Sequence, residues 1–489
     1  MKLSLSNHDL STQKTDLLGV LVHEGDWPKS LRMLDEALGG QLSDIAKQER
    51  FTGKAGSTLP LHTLGKVPAR RVLLVGGGAK AAYATSELRH FAATCLRSAI
   101  SSGCKRVALH AEGAADSGAV QRLVEGAHLG RYRFDRYLSE DKRQRDQLTE
   151  IVVLVPGAKP PAKDAVDAGA TIAEATCLAR DLVNSPASDM TPKDMADRAR
   201  TVAKTHGLTC KVFGEKECAK LGMGMFLAVA RGSVAEPQFI HLHYKPKGKA
   251  RRSVALVGKG VTFDSGGLSL KPSNAMEDMK IDMSGAAAVI GAMGAIAALE
   301  LPVEVHGLAA CAENMLSGTA YKLGDVLRSM AGKTVEINNT DAEGRLTLGD
   351  AITYAKSLGV DEIFDFATLT GACLVALGPH IAGVMSNNDG LATAWLDAAR
   401  RAGEEMWRLP LPARLMEQLK SAVADMRNTG ERYGGALTAG LFLKEFVGET
   451  PWVHVDLAGP ASSDKDFGHF TKGGTGFGVA TIVEYLAAI

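Results

Sequence analysis

The sequence predicts an α/β fold of two domains: an N-terminal domain with a mainly parallel sheet over residues 1–162, and a larger C-terminal α/β domain with a central mixed sheet over residues 163–489. Three observations predict it. The chain has 489 residues, more than one hydrophobic core ordinarily serves. Short apolar runs alternate with helical patterns, the rhythm of βαβ units. That rhythm breaks at Pro156-Gly157-Ala158-Lys159-Pro160-Pro161, a proline-rich stretch of the kind that separates domains.

In the N-terminal part, residues 17–22, 71–75, 106–109 and 150–155 read as strands, and 83–101 as a helix. Residues 164–183 read as a long helix connecting the domains. Beyond residue 190, strands are expected at 239–244, 253–257, 303–308, 334–337, 362–366 and 453–455. The most apolar run, 285–299, is rich in Ala and Gly. It spans about 15 residues, short of the roughly 20 that cross a bilayer, and reads as a buried helix. No membrane association is expected.

Composition narrows the function classes. Hydrophobic residues make up 45% of the chain, and the net charge is +1, so no strong overall field points to nucleic acid or membrane. Residues 1–150 hold 22 Lys and Arg against 17 Asp and Glu, a net +5, while the remainder nets −4. That asymmetry is a slight hint of an anionic partner such as DNA, with ordinary surface scatter the plainer reading. Seven cysteines without a Cys-x-x-Cys pair argue against a disulfide framework or a structural zinc site. With no leader-like N-terminus, a reducing cytoplasm is the expected setting.

The densest chemistry begins at Val257-Gly258-Lys259-Gly260-Val261-Thr262-Phe263-Asp264-Ser265-Gly266-Gly267 and runs to Lys271. It reads as a strand ending in a glycine-rich turn, with one acid and two lysines where open α/β sheets bind ligands. Asp282 follows at an expected helix N-terminus. A second cluster, Asn339-Thr340-Asp341-Ala342-Glu343-Gly344-Arg345-Leu346, follows the strand at 334–337. In an extended chain Asp341 and Glu343 point to one side. Asp264, Asp282, Asp341 and Glu343 thus form four carboxylates expected at strand ends. Two divalent cations would relieve their repulsion, and an oxygen-rich set suits Mg²⁺, Mn²⁺ or Zn²⁺. On spacing alone, surface or capping acids are an equally good reading.

These residues bring a family into view. The eight residues from Asn339 to Leu346 resemble the signature of the leucyl (cytosol) aminopeptidases at every position. Residues 259–271, Asn184-Ser185-Pro186 with Thr191-Pro192, and 452–459 are similar to other segments of that family. The resemblance covers roughly residues 150–489. It implies a metal-dependent aminopeptidase that hydrolyses the N-terminal peptide bond of short peptides and prefers Leu- or Met-like residues. It also implies a homohexamer, with the N-terminal domain serving assembly or regulation. Asp264, Asp341 and Glu343 would hold one metal, and Lys259, Asp264, Asp282 and Glu343 a second, each Mn²⁺ or Zn²⁺. Lys259 would then bind as a neutral amine, its proton displaced by the neighbouring cations. Lys271 and Arg345 would be catalytic, Lys271 steadying the oxyanion and Arg345 holding a bicarbonate that carries the proton. Met279, Asn339, Thr368, Leu369, Gly371 and Ala458 would line the substrate pocket, though a plain core role competes for each.

Two positions depart from the family pattern, Ser284 and Asn338; neither replaces a proposed ligand. Other features read as ordinary structure. Gly76-Gly77-Gly78 lacks the third glycine of a dinucleotide loop. His241 and His243 share one face of the strand at 239–244, but no third ligand is near in sequence. Cys373 reads as a buried small thiol. The basic segment 131–145, interrupted by Asp135, Glu140 and Asp141, reads as a solvated face.

Overall fold

The computed structural model describes residues 2–25, 27–155 and 163–489; the proline-rich break at 156–161 lies outside the described residues. The chain forms two compact units, one of residues 1–174 with 465–471 and one of residues 175–464 with 472–489. The division falls inside the helix Lys163–Asn184, later than the expected boundary at 162. The physical reason is close packing. A Cβ at Gly169 would lie 2.6 Å from the Gln121 carbonyl, so the first half of the helix belongs to the first unit. The second half lies beside Gly291 of the second unit.

The first unit is built on six strands: β1 (Lys2–Ser6), β2 (Leu17–Val22), β3 (Thr58–His62), β4 (Arg71–Gly76), β5 (Arg106–His110) and β6 (Glu150–Leu154). Their order is β1-β6-β5-β2-β4-β3, parallel throughout except for antiparallel β3 at one edge. Central β2 is buried at every position, and alternation divides it between two cores. Leu17 and Leu21 pack with Phe91, Leu96 and Leu123 from the helices Leu88–Ser101 and Ser117–Arg131. Leu18, Val20 and Val22 pack with Leu31, Leu34 and Leu42 from two shorter helices on the other face. A strand covered on both sides must be a continuous apolar run, and residues 17–22 are one. Gly76-Gly77-Gly78 leads into short 3₁₀ turns, not into the helix N-terminus that a dinucleotide loop requires.

The second unit holds an eight-stranded mixed sheet. Its strands are β7 (Thr209–Phe213), β8 (Gln238–Tyr244), β9 (Ser253–Asp264), β10 (Glu304–Asn314), β13 (Glu362–Ala367), β14 (Ala382–Ser386), β15 (Met406–Arg408) and β17 (Trp452–Asp456). They run in the order β15-β14-β17-β13-β9-β10-β8-β7. β10, β9, β13 and β17 are mutually parallel, while β8 and β14 pair antiparallel. The expected strand at 334–337 forms, but in a separate small sheet of β11 (Val326–Arg328), β12 (Thr334–Glu336) and β16 (Met426–Arg427). One face of the main sheet carries the helix Glu343–Ser357, through a core that includes Val257, Leu308, Leu346 and Phe442.

The opposite face carries Ser284–Ala298, whose residues 284–297 are all buried. With the short turns before it, this stretch is long and apolar enough to cross a membrane by length and composition, but 83% of its most apolar window lies inside the unit as core. Small residues let it approach the sheet. A Cβ at Gly258 would lie 2.5 Å from the backbone of Ala286. Gly258 and Gly260 are therefore strand glycines rather than the turn glycines expected, and β9 runs on to Asp264.

Asp350 ties the helix Glu343–Ser357 to its neighbours. Its carboxylate accepts the backbone N–H of Met225 and Phe226, each at 3.0 Å, and of Met330 at 2.8 Å. Asp350→Ala leaves three largely buried donors unpaired and is expected to cost about 3 kcal/mol or more in unfolding free energy. Urea denaturation beside the wild type measures the loss.

Candidate active site

β9 supplies the first two groups, and a bulge in it makes the site. Side chains alternate along a strand, so Lys259 and Asp264, five residues apart, should face opposite ways. The pairing of β9 with β10 skips one residue, from Val261 opposite Ala312 to Phe263 opposite Glu313. The extra residue, Thr262, restores a common face for Lys259 and Asp264. The turn after Asp264 is where glycine freedom is needed: Gly266 and Gly267 have φ of +84° and +61°. Lys271 returns from this turn, its ammonium 2.9 Å from Asp264 and also paired with Asp341.

Asp282 lies at the start of a helix, as expected, whereas Asp341 and Glu343 arrive by routes that an extended chain does not provide. Asp282 lies in the 3₁₀ turn Met279–Met283 just before Ser284–Ala298. Asp341 lies in a turn, and Glu343 is the first residue of the helix Glu343–Ser357. Only Asp264 ends a main-sheet strand. The convergence comes from a helix start packed against the β9 bulge. Glu343 lies 2.9 Å from the Lys259 ammonium, which also donates to Asp282 at 2.7 Å and to the Thr368 carbonyl at 3.0 Å. Gly344 permits this approach: a Cβ there would lie 2.5 Å from Lys259 Cε.

Burial works against every charge here, and pairing decides which ones persist. Burial, then Glu343, pushes the Asp264 carboxyl up to about 6, against Lys271 and Lys259. Burial carries Asp282 well above the carboxylate range, though Lys259 opposes it. Asp341 is raised, by burial first, with Lys271 opposing. Burial is the largest influence on Glu343 and raises it, but Lys259 and Lys271 together hold it below its ordinary value. Burial would lower both lysines, but Asp282, Glu343 and Asp264 raise Lys259, and Asp264 and Asp341 raise Lys271. Burial brings Arg345 down to about 10, still charged at neutral pH.

The donor set fits divalent cations. Asp264, Asp341 and Glu343 each bring a carboxylate oxygen to within 4.8 Å of the other two. Asp282 Oδ2 and Glu343 Oε2 are buried without a hydrogen-bond partner. A carboxylate oxygen left so costs free energy that a hard or borderline metal ion recovers. Arg345 donates from Nη1 to the Asn428 carbonyl at 2.7 Å, and its Nε is buried and unpartnered, as an anion-holding guanidinium would be.

Of the six expected pocket residues, Thr368 is nearest these groups, its hydroxyl donating to Asp282 at 2.7 Å. Asn339 accepts the Asp341 N–H at 2.8 Å. Leu369 and Ala458 both donate backbone N–H to Asp456, Met279 is half-buried in the Asp282 turn, and Gly371 is exposed at the start of the helix Gly371–Leu377. Ser284 donates only within its own turn, to Ile281. Three organising residues escaped sequence reasoning. Asn314 donates to Asp264 at 2.8 Å and to the Thr340 carbonyl at 3.0 Å. Asn428 bridges Asn339 and Arg345. Asp456 gathers Leu369, Thr370 and Ala458. Asp456 lies within 452–459, a segment already noted; Asn314 and Asn428 carry no local signal.

Buried carboxylates and lysines gathered beside a parallel strand end of an α/β unit define the class of proteins with a divalent-metal centre at a sheet edge. Comparison with known proteins narrows this. The catalytic-domain profile of the cytosol aminopeptidase family matches residues 177–483, and its N-terminal-domain profile matches residues 18–141. A protein named Probable cytosol aminopeptidase, from Synechococcus sp. (strain JA-3-3Ab), is 47% identical over 475 residues, covering 94% of this chain and 92% of that one. Its namesake from Aquifex aeolicus (strain VF5) is 43% identical over 100% of this chain and 99% of its own. Among solved structures, a variant of tomato leucine aminopeptidase superposes with a TM-score of 0.92 at 37% identity, covering 100% of this chain and 97% of that one. The bottromycin maturation enzyme BotP in complex with Mn gives 0.86 at 38%, covering 97% and 99%. The chain belongs to the cytosol aminopeptidase family and is a metal-dependent exopeptidase.

Proposed function

We propose that Asp264, Asp341 and Glu343 hold one divalent ion and Lys259, Asp264, Asp282 and Glu343 a second, with Asp264 and Glu343 shared between them. The observation that carries this reading is the convergence of Asp264, Asp341 and Glu343, with Asp282 joined to Glu343 through Lys259 and with buried, unpartnered oxygens on Asp282 and Glu343. Mn²⁺ or Zn²⁺ suits the set, and Mn is the ion in the BotP complex. When bound, such ions polarise the scissile carbonyl, acidify the attacking water and receive the free amino group.

The chain's own groups do the rest. The Lys271 ammonium, kept charged by Asp264 and Asp341, steadies the oxyanion as it develops. The buried Arg345 guanidinium holds bicarbonate as proton carrier, its unpartnered Nε fitting an anion there. Asp456 holds Leu369 and Ala458 so that, with Met279, Asn339, Thr368 and Gly371, they receive a Leu- or Met-like side chain. The substrates are short peptides with free amino termini, turned over in the cytoplasm, in keeping with the family's name.

The test is hydrolysis of leucine-p-nitroanilide by protein stripped of metal and then given Mn²⁺ or Zn²⁺, beside Asp341→Ala and an N-acetylated substrate. Activity restored by metal, absent from the variant and from the blocked substrate, is expected. Metal-restored activity retained by Asp341→Ala would remove that residue from the ligand set. Equal cleavage of the blocked substrate would overturn recognition of the amino group.

A further inference from the structure

Far from this site, the main sheet gathers three histidines and a glutamate. His241 and His243 alternate onto one face of β8, and His306 of β10 stands directly opposite His243 in the pairing. Glu304, two residues before His306, shares that face. His306 and Asn314 are eight residues apart on β10, which puts the cluster about 26 Å along the strand from the active-site end. The partners that sequence proximity failed to supply for His243 come from the neighbouring strand, as Glu304 and His306.

We propose that His243, Glu304 and His306 form a second metal site, separate from the catalytic one, for an imidazole-preferring divalent ion such as Zn²⁺, Ni²⁺ or Cu²⁺. One ligand atom from each lies within 4.8 Å of the others. His243 Nε2 is 2.8 Å from Glu304 Oε1; the His243 and His306 rings stack at 4.3 Å, so one ring turns out of the stack for both lone pairs to meet a shared ion. His241 acts as the orienting partner. Its Nε2 meets His306 Nδ1 at 3.0 Å, leaving Nε2 of His306 as the ligating nitrogen. Its own Nδ1 meets the Tyr354 hydroxyl at 3.2 Å. A ligand imidazole whose second nitrogen is held by a neighbour is the usual arrangement at protein metal sites.

His306 is buried, whereas the His243 and Glu304 side chains are 29% and 27% exposed, which gives an ion a way in. Two imidazoles and one carboxylate with an open fourth position match a known style of zinc coordination. The ion would fasten β8 to β10. Tyr354 links the cluster to the helix whose first residue is Glu343.

The test counts ions and identifies their ligands. Tag-free protein is equilibrated with Zn²⁺, dialysed and assayed by elemental analysis, beside His243→Ala and Glu304→Gln. The expected result is one ion fewer per chain in each variant, with leucine-p-nitroanilide hydrolysis unchanged. Equal zinc content in folded wild type and variants would overturn the site. Should the variants fail to fold, Cu²⁺ electron paramagnetic resonance on the wild type decides. None of the proposed catalytic ligands is a histidine, so imidazole nitrogen couplings are expected from the second site, and their absence would overturn it.

Discussion

Glu343→Gln is expected to lower kcat/KM for a leucyl substrate by roughly 10³-fold or more, with the protein still folded. Glu343 is, with Asp264, one of the two acids common to both proposed ion positions. It shares one carboxylate cluster with Asp264 and Asp341 and pairs with Lys259 in the other. Glutamine keeps its shape and removes its charge, so packing against Lys259 persists while the bridge is lost. Ion content should fall in parallel, and added Mn²⁺ should not restore the rate. Circular dichroism beside the rate and ion measurements separates this from unfolding. A variant that recovers full activity at high metal concentration would reduce Glu343 to an affinity residue.

Lys271→Met is expected to lower kcat by about 10²–10³-fold, with KM and ion content little changed. Lys271 is the cation beside Asp264 and Asp341 that none of the proposed ion positions uses, and it is partly open at the site's rim. Its worth is greatest when negative charge appears on the carbonyl oxygen, so the loss falls on kcat. Arginine is a poor substitute, because its planar fork does not reproduce a compact point charge. A rise in KM alone would make Lys271 a ground-state binding group instead.

Much of this architecture was legible in the sequence where one physical cause dominated. Strands β2, β4, β5 and β6 are apolar runs because they are buried centrally in a parallel sheet. β1 and β3 were not legible. They lie at the sheet's edges, β1 half-exposed and β3 alternating around Pro60, so neither forms an apolar run. The candidate site residues stood out as unusual chemistry in two short clusters, and the structure gathers them. How they are gathered was not legible. An extended strand end was expected for Asp341 and Glu343, whereas a turn and a helix start position them and a bulge turns Asp264 toward them, because bulges and close helix approaches depend on pairing with distant strands. Asn314 and Asn428 escaped for the same reason: their partners lie dozens of residues away.

The bulge at Thr262 makes the site sensitive to length as well as to identity. Thr262 is buried and its hydroxyl donates to the Ala312 carbonyl at 3.3 Å, so packing limits what can stand there. One residue removed, or one added, between Lys259 and Asp264 would rotate the acid through half a turn of the strand and bury it against the helix Ser284–Ala298. Point substitutions there draw on packing, a graded quantity. A single-codon insertion or deletion acts on parity, which has only two values, and one of them has no active site.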